Sequence, residues 1–162
     1  MRINKAWSSH LPILIKLLSI TDGDVLEMGI GFYSTPFLHW ACFEKRKLVS
    51  YENNPKYMGY FKSFISDQHN IVFVEDWDNA DIERPWDIVF IDHAPSLRRK
   101  EEVRRLANWA KYIVVHDTQP NAENKYRYNE IYPLFKYRYN YTKTANHTCI
   151  LSNFIDVTQF DI

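Results

Sequence analysis

Asp24-Val25-Leu26-Glu27-Met28-Gly29-Ile30-Gly31-Phe32-Tyr33-Ser34-Thr35-Pro36 decides how this chain is read. A short apolar run carries an acid, meets two spaced glycines and passes into a helix start. Glycines in such a loop let the backbone approach a ligand that a side chain would block. The helix behind them presents unpaired N–H groups and a partial positive charge. Glu27 changes what the loop suits. A carboxylate at the end of a first strand fits a ligand bearing an ammonium group, not only one bearing phosphates.

Outward from this stretch, strand-like and helix-like runs alternate. Ser8 and Ser9 are placed to cap a first helix over 8–20, with Leu11, Leu14, Ile15 and Leu18 as its apolar residues. Val25 to Met28 is a strand; Thr35 then caps, and Pro36 opens, a second helix. Lys47 to Tyr51 is a second strand, and Asn54-Pro55 repeats the cap-and-proline signal before a helix with Tyr57, Tyr60, Phe61, Phe64 and Ile65 on one face. Ile71 to Val74, Asp87 to Ile91 and Tyr112 to Val115 are three further strands. Ser96 caps a charged helix between the last two, whose inner edge is Val103, Leu106 and Trp109 or Ala110. A weaker helix spans about Asn124 to Leu134. After it the period becomes two: Phe135, Tyr137, Tyr139 and Tyr141 alternate with polar residues, and Thr148 to Phe154 returns as a partner strand. Five strands alternating with helices imply an α/β, doubly wound parallel sheet, to which the last hairpin adds an antiparallel pair. Ligands of such sheets bind beyond the carboxyl ends of the strands.

The residues at those ends carry chemistry. The first strand supplies Glu27 and the Gly29/Gly31 loop. The second ends in Glu52, placed to accept from a ribose diol. The third ends in Asp76-Trp77, where an acid can accept from an adenine amino group and an indole can stack on the ring. An ammonium, a ribose and an adenine together describe S-adenosylmethionine. The fourth strand ends in Asp92-His93 and the fifth in His116-Asp117. Neighbouring parallel strands lie about 4.8 Å apart, which brings Asp92 near Asp117. Two close carboxylates need a cation between them, or one keeps its proton. Both outcomes are open: Asp92 and Asp117 hold a divalent metal such as Mg2+, or they move protons together with His93 and His116. The run Arg98-Arg99-Lys100-Glu101-Glu102 with Arg104-Arg105 is read as a solvated helix face with i,i+4 pairs, or less simply as a site for an acidic substrate.

The 162 residues favour a single domain over 1–162, with 46% apolar and 25% charged residues and zero formal net charge. That balance argues against nucleic acid or an anionic membrane as partner. Cys42 and Cys149 sit among apolar neighbours and are expected as reduced core thiols. Leu11 to Ile20 is broken by Pro12 and Lys16 and is too short to span a bilayer. The expected location is cytoplasmic.

Taken together these residues resemble class I S-adenosylmethionine-dependent methyltransferases over nearly the whole chain, and within them the small-molecule O-methyltransferases of the macrocin type. Glu27-Met28-Gly29-Ile30-Gly31 is similar to that family's first motif, Glu52 to its ribose-binding acid, Asp76-Trp77 to its adenine motif, and the terminal hairpin to its last two strands. The resemblance implies a Rossmann-like seven-stranded sheet in the order 3-2-1-4-5-7-6. It implies a cofactor site of Glu27, Gly29, Gly31, Ser34, Thr35, Glu52, Asn53, Asp76, Trp77 and Asp92. It also implies O-methylation of a small hydroxylated acceptor, with Asp92, His93, His116 and Asp117 as the catalytic candidates. The chain departs from the family in three places: Ile-Asp-Gly-Asp-His is shortened to Ile91-Asp92-His93, the glycines before the fifth strand are missing, and Thr118 stands where catechol-type enzymes place an asparagine. The acceptor pocket is expected to be open, or completed by the first helix near Trp7 and His10, or by a second copy of the chain in a homodimer. Two rivals stand beside this reading: an NAD-linked oxidoreductase, because Gly29-x-Gly31-x-x-Ser34 approaches the dinucleotide fingerprint, and a binding module that keeps the fold without turnover.

Overall fold

The computed structural model describes residues 5–162. Seven strands, β1 (Val25–Met28), β2 (Leu48–Glu52), β3 (His69–Phe73), β4 (Trp86–Ile91), β5 (Ala110–His116), β6 (Tyr137–Tyr141) and β7 (Thr148–Ser152), form one sheet in the order β3-β2-β1-β4-β5-β7-β6. The first five pair in parallel, while β7 runs antiparallel between β5 and β6. The winding reverses between β1 and β4, which opens a crevice beyond their carboxyl ends.

The pleat sends alternate residues to opposite sides of the sheet. Leu26, Met28, Val89, Ile91, Ile113 and Val115 join Trp77, Val103, Leu106 and Tyr128 in one apolar layer. Val25, Ile88, Phe90 and Val114 join Ile13, Leu14 and Leu17 of α1 (Leu11–Ser19) and Leu38 and Cys42 of α2 (Ser34–Cys42) in the other. All six residues of β4 are buried; the apolar run 88–91 accounts for four of them, and Asp87 is paired with Lys111 and the Gly23 N–H, both at 2.7 Å. Cys42 and Cys149 are free and buried.

Several element boundaries differ from those read in the sequence, each for a local reason. The first helix begins at Leu11, not residue 8, because the Ser9 hydroxyl donates to the Ala6 carbonyl instead of capping; His10 takes the cap position. Thr35 does not cap α2, which starts one residue earlier. Its hydroxyl accepts from the Gly31 N–H and donates to Glu27. Asn54 caps α3 (Pro55–Phe61) as expected, accepting from the Lys56 N–H at 3.0 Å. Only Phe61 of α3 is buried, and the chain leaves the helix there, so Tyr60 and Ile65 stay exposed. Ser96 opens a 3-10 turn before α4 (Arg99–Leu106). The weak helix expected over 124–134 lies earlier, as α5 (Pro120–Tyr126). Pro120 starts it, Arg127 in a left-handed conformation ends it, and two 3-10 turns follow.

Gly29 is fixed by backbone geometry. Its φ is +94°, and a Cβ there would lie 2.5 Å from the His93 Cα. The glycine therefore admits the chain leaving β4, not only a ligand. Gly29→Ala is expected to destabilise the protein by about 3 kcal/mol or more, from the left-handed backbone and the clash together. Gly59→Ala, in α3 with open space around it, is expected to stabilise by roughly 0.5–1 kcal/mol. Urea unfolding midpoints of the two variants check both signs.

Candidate functional site

A cavity of about 770 Å³ opens beyond the carboxyl ends of β1, β2, β4 and β5. Its volume is that of a small-molecule site. One end is walled by Gly29–Ser34 and by Glu52–Pro55 with Tyr57. The other is walled by Asp92–Pro95, Arg99, His116 and Asp117, with Trp7 and His10 from the N-terminal segment and Asn146 from the β6–β7 turn. Gly29, Gly31, Ser34, Glu52, Asn53, Asp92, His93, His116 and Asp117 thus all meet at one place, and Trp7 and His10 stand where the acceptor pocket was expected to be completed.

Glu52 is buried and already engaged. Its Oε2 accepts from the Ile30 N–H at 3.0 Å, and its Oε1 from the N–H groups of Asn53 and Asn54 at 3.0 and 2.8 Å. Burial raises its pKa against these three donors. A carboxylate has about four acceptor sites, so Oε2 keeps capacity toward the cavity.

Glu27 is not on the cavity wall. Parity puts it on the same face as Val25, under α2, where it has no exposed surface. Thr35 donates to both of its oxygens at 3.0 Å, and Ser50, its neighbour in register on β2, donates at 2.6 Å. Because Ser50 gives its proton to Glu27, its oxygen accepts from His69 Nε2 at 2.8 Å, and His69 Nδ1 in turn accepts from His39 Nδ1 at 3.1 Å. Burial pushes the Glu27 pKa up to about 7, with the hydroxyls of Ser34, Ser50 and Thr35 opposing.

Asp76 and Trp77 also lie off the wall. Asp76 is exposed and caps a 3-10 turn through the Asp78 N–H. Trp77 is buried; its Nε1 donates to the Ala94 carbonyl at 2.9 Å and its ring lies 4.1 Å from that of His93. At the Glu52 end the wall carries the aromatic residues Phe32, Tyr33 and Tyr57, and the ring centres of Phe32 and Tyr57 are 6.0 Å apart. By its spacing Tyr57 shares one helix face with Tyr60, Phe61, Phe64 and Ile65, and Phe32 carries no sequence-based expectation. Its place inside the glycine loop was the available signal.

The cation between Asp92 and Asp117 is Arg99. Its Nη2 lies 2.8 Å from Asp92 Oδ1 and its Nη1 3.2 Å from Asp117 Oδ2. Its remaining donors reach the carbonyls of His93 at 2.8 Å, Asp92 at 3.0 Å and His116 at 3.4 Å. Burial raises the Asp92 pKa, but Arg99 and His116 outweigh it and the net shift is downward. The metal assigned to Asp92 and Asp117 together is thereby corrected. A guanidinium occupies the space where Mg2+ would need several oxygen ligands, so the pair does not fit that ion. The charged run is corrected too: Arg99 and Glu102 are buried, not solvated.

Of the two expected histidine bases, only His116 presents its ring to the cluster. His93 turns its Nε2 to the buried Glu102 at 3.0 Å, and Arg98 donates to the other Glu102 oxygen at 2.8 Å. His116 places Nδ1 3.3 Å from Asp92 Oδ2 and Nε2 2.8 Å from the Ser9 hydroxyl. Burial opposes its imidazolium, yet Asp92 outweighs burial and its pKa is raised. His10, its ring tilted against that of Phe90 at 4.5 Å, stays neutral; burial first and then His116 hold its pKa down at about 3.

No protein-family model and no curated protein sequence matches this chain. Solved structures do. An O-methyltransferase from Bacillus cereus, solved in complex with SAH, superimposes with a TM-score of 0.67 at 15% identity, covering 93% of this chain and 82% of that one. The O-methyltransferase TomG from Streptomyces achromogenes, involved in tomaymycin synthesis and solved with SAM, gives 0.65 at 17% identity, covering 93% and 81%. Human methyltransferase-like protein 13, solved with SAH, gives 0.66 at 13% identity, covering 97% and 84%. At these identities the likeness establishes the fold, which is the Rossmann-like methyltransferase fold.

Two predictions follow from the electrostatics. The folded state keeps a proton on Glu27 that the unfolded chain releases above its ordinary value of 4.5, so this residue's contribution falls as pH rises from 4.5 to about 7. Relative to Glu27→Gln, the natural protein should lose about 3 kcal/mol across that window, read from urea midpoints at successive pH values. Arg99→Met strands two facing carboxylates and should cost about 3–5 kcal/mol at pH 7. Adding Asp117→Asn should recover part of that loss, as a double-mutant cycle by thermal unfolding would report.

Proposed function

We propose that this protein is an S-adenosylmethionine-dependent methyltransferase acting on a hydroxyl group of a small acceptor. One observation carries the proposal: a single cavity joins the Gly29–Ser34 loop and Glu52 at one end to the His10, Asp92 and His116 cluster at the other. The first end suits a nucleoside with an amino-acid tail, and the second suits a group that must lose a proton. The fold shared with O-methyltransferases solved with SAM or SAH supports the same assignment.

When bound, the cofactor supplies an already electrophilic methyl group on a sulfonium. The chain does the rest. Backbone N–H groups of the 32–34 segment receive the carboxylate of the tail, since those of Gly29, Ile30 and Gly31 are held by Tyr51, Glu52 and Thr35, and the Ser34 hydroxyl is engaged by Glu27. Glu52 Oε2 and Asn53 hold the ribose, and Phe32 and Tyr57 offer aromatic faces to the adenine. Glu27 has no direct part: it braces the loop through Thr35, as Trp77 braces the Asp92–Pro95 segment through Ala94. Asp92, His10 and His116 stand at the acceptor end, where they draw off the hydroxyl proton as the oxygen attacks. Holding the two reactants in line can contribute roughly 7–11 kcal/mol.

Isothermal titration with SAH should show one site per chain. Glu52→Gln keeps a neutral acceptor for part of the loop but weakens the bond to the ribose, and it should lower affinity by about 10–100-fold, the range for hydrogen bonds to a charged group. Circular dichroism should report an unchanged fold. Unchanged affinity, or thermal stabilisation by NADH and none by SAH, would overturn the assignment. Release of SAH from SAM with a panel of hydroxylated acceptors separates an enzyme from a binding module.

A further inference from the structure

The acceptor end contains a set of groups that hydrogen bonding does not satisfy. Both ring nitrogens of His10 and Nδ1 of His116 are buried without a hydrogen-bond partner. The Ser9 hydroxyl donates to the Ala6 carbonyl at 2.8 Å, so its oxygen must accept from His116 Nε2–H at 2.8 Å. A neutral His116 ring therefore carries its lone pair on Nδ1. That lone pair faces Asp92 Oδ2 at 3.3 Å. Two electron pairs set against each other in a buried place call for a cation between them, either a proton on Nδ1 or a metal ion.

We propose that His10, Asp92 and His116 bind one divalent transition-metal ion of the zinc class. Each supplies one ligand atom, and the three atoms lie within 4.8 Å of one another. They come from three separate places in the fold: the cap of α1, the end of β4 and the end of β5. Two imidazoles and a carboxylate suit zinc or iron(II), whereas magnesium and calcium take oxygen ligands. The supporting contacts are in place, with Ser9 fixing the His116 tautomer and Arg99 holding the second Asp92 oxygen. Asp117 is outside the set, being bound to Arg99 and accepting from Asn146 at 2.6 Å. All three ligands line the cavity, which leaves the remaining coordination positions facing the acceptor space. A hydroxyl coordinated there would release its proton to solvent at a lower pH. This catalytic use depends on the methyl-transfer proposal; the ion site itself does not.

The test titrates Zn2+ into the full chain after treatment with a chelator, and measures SAH binding on the same sample. One Zn2+ per chain is expected. Long-range 15N–1H spectra should then show ring shifts at two of the six histidines, His10 and His116. His10→Ala should weaken Zn2+ at least 30-fold while SAH binding persists, and Ser9→Ala should weaken it by about 10-fold, as for other residues that orient a ligand. The absence of stoichiometric Zn2+, shifts confined to other histidines, or equal affinity in His10→Ala would overturn the site and leave a proton on His116 as the missing cation. If His10→Ala does not fold, the spectra of the natural chain decide alone. Zn2+ binding without SAH binding would uphold the ion site and defeat the methyl-transfer proposal.

Discussion

The end of the sheet where the cavity opens is held by one guanidinium. Arg99, the first residue of α4, touches the carboxylates of Asp92 and Asp117 and the carbonyls leaving β4 and β5. A lysine could not do this, because its three donors radiate from one point while arginine presents a planar fork. The contact fixes two loops that parallel strands alone would leave free beyond their last ladder bond. It also sets the charge of the site. Two carboxylates against one guanidinium leave an excess of negative charge, and both face His116 Nδ1, Asp92 at 3.3 Å and Asp117 at 3.6 Å. A second cation is therefore favoured on the far side of Asp92 from Arg99.

The other end of the cavity is organised by two acids with different fates. Glu27 lies inside β1, and strand parity drives it under α2. Glu52 is the last residue of β2, and there the carboxylate turns back to collect the N–H groups of Ile30, Asn53 and Asn54. The glycine loop is thus gripped from below, through Thr35 and Gly31, and from the side, through Ile30. A loop so held needs little reordering when a ligand arrives, and ordering is a main cost of binding.

Most of the fold was legible because its signals are periodic. Apolar runs marked five buried strands, alternation marked the hairpin, and Asn54-Pro55 marked a helix start. The strand-end rule then brought Glu52, Asp92, His116 and Asp117 to one place. What escaped had its cause in three dimensions. Nothing local distinguishes Arg99 from Arg98, Arg104 or Arg105; only the start of α4 beside the ends of β4 and β5 buries it. His93 and His116 follow or end neighbouring strands, yet Glu102 captures the first and Asp92 the second. Glu27 was assigned to the ligand by its position at a strand end, although the same alternation that located the strand points it at α2. Trp77 was taken for a stacking surface, and its indole N–H instead found the Ala94 carbonyl in the core.

His10 is the residue that packing cannot explain. It sits against Phe90 in an apolar layer, where a leucine or phenylalanine would fill similar space with no polar atoms to satisfy. Burying an unpaired donor or acceptor costs about 1–3 kcal/mol, and His10 has two such atoms. His69 by contrast is compensated at both nitrogens, by Ser50 and His39, and His93 at Nε2 by Glu102, which leaves one His93 nitrogen without a partner against two in His10. Unsatisfied polar groups in a folded protein concentrate where chemistry is done. His10 stands in the cavity wall in one group with Asp92, whose second oxygen the guanidinium of Arg99 leaves free. An imidazole kept neutral and unbonded at that spot is what the proposed ligand or base requires, and on that proposal its burial is the stability given up for the chemistry.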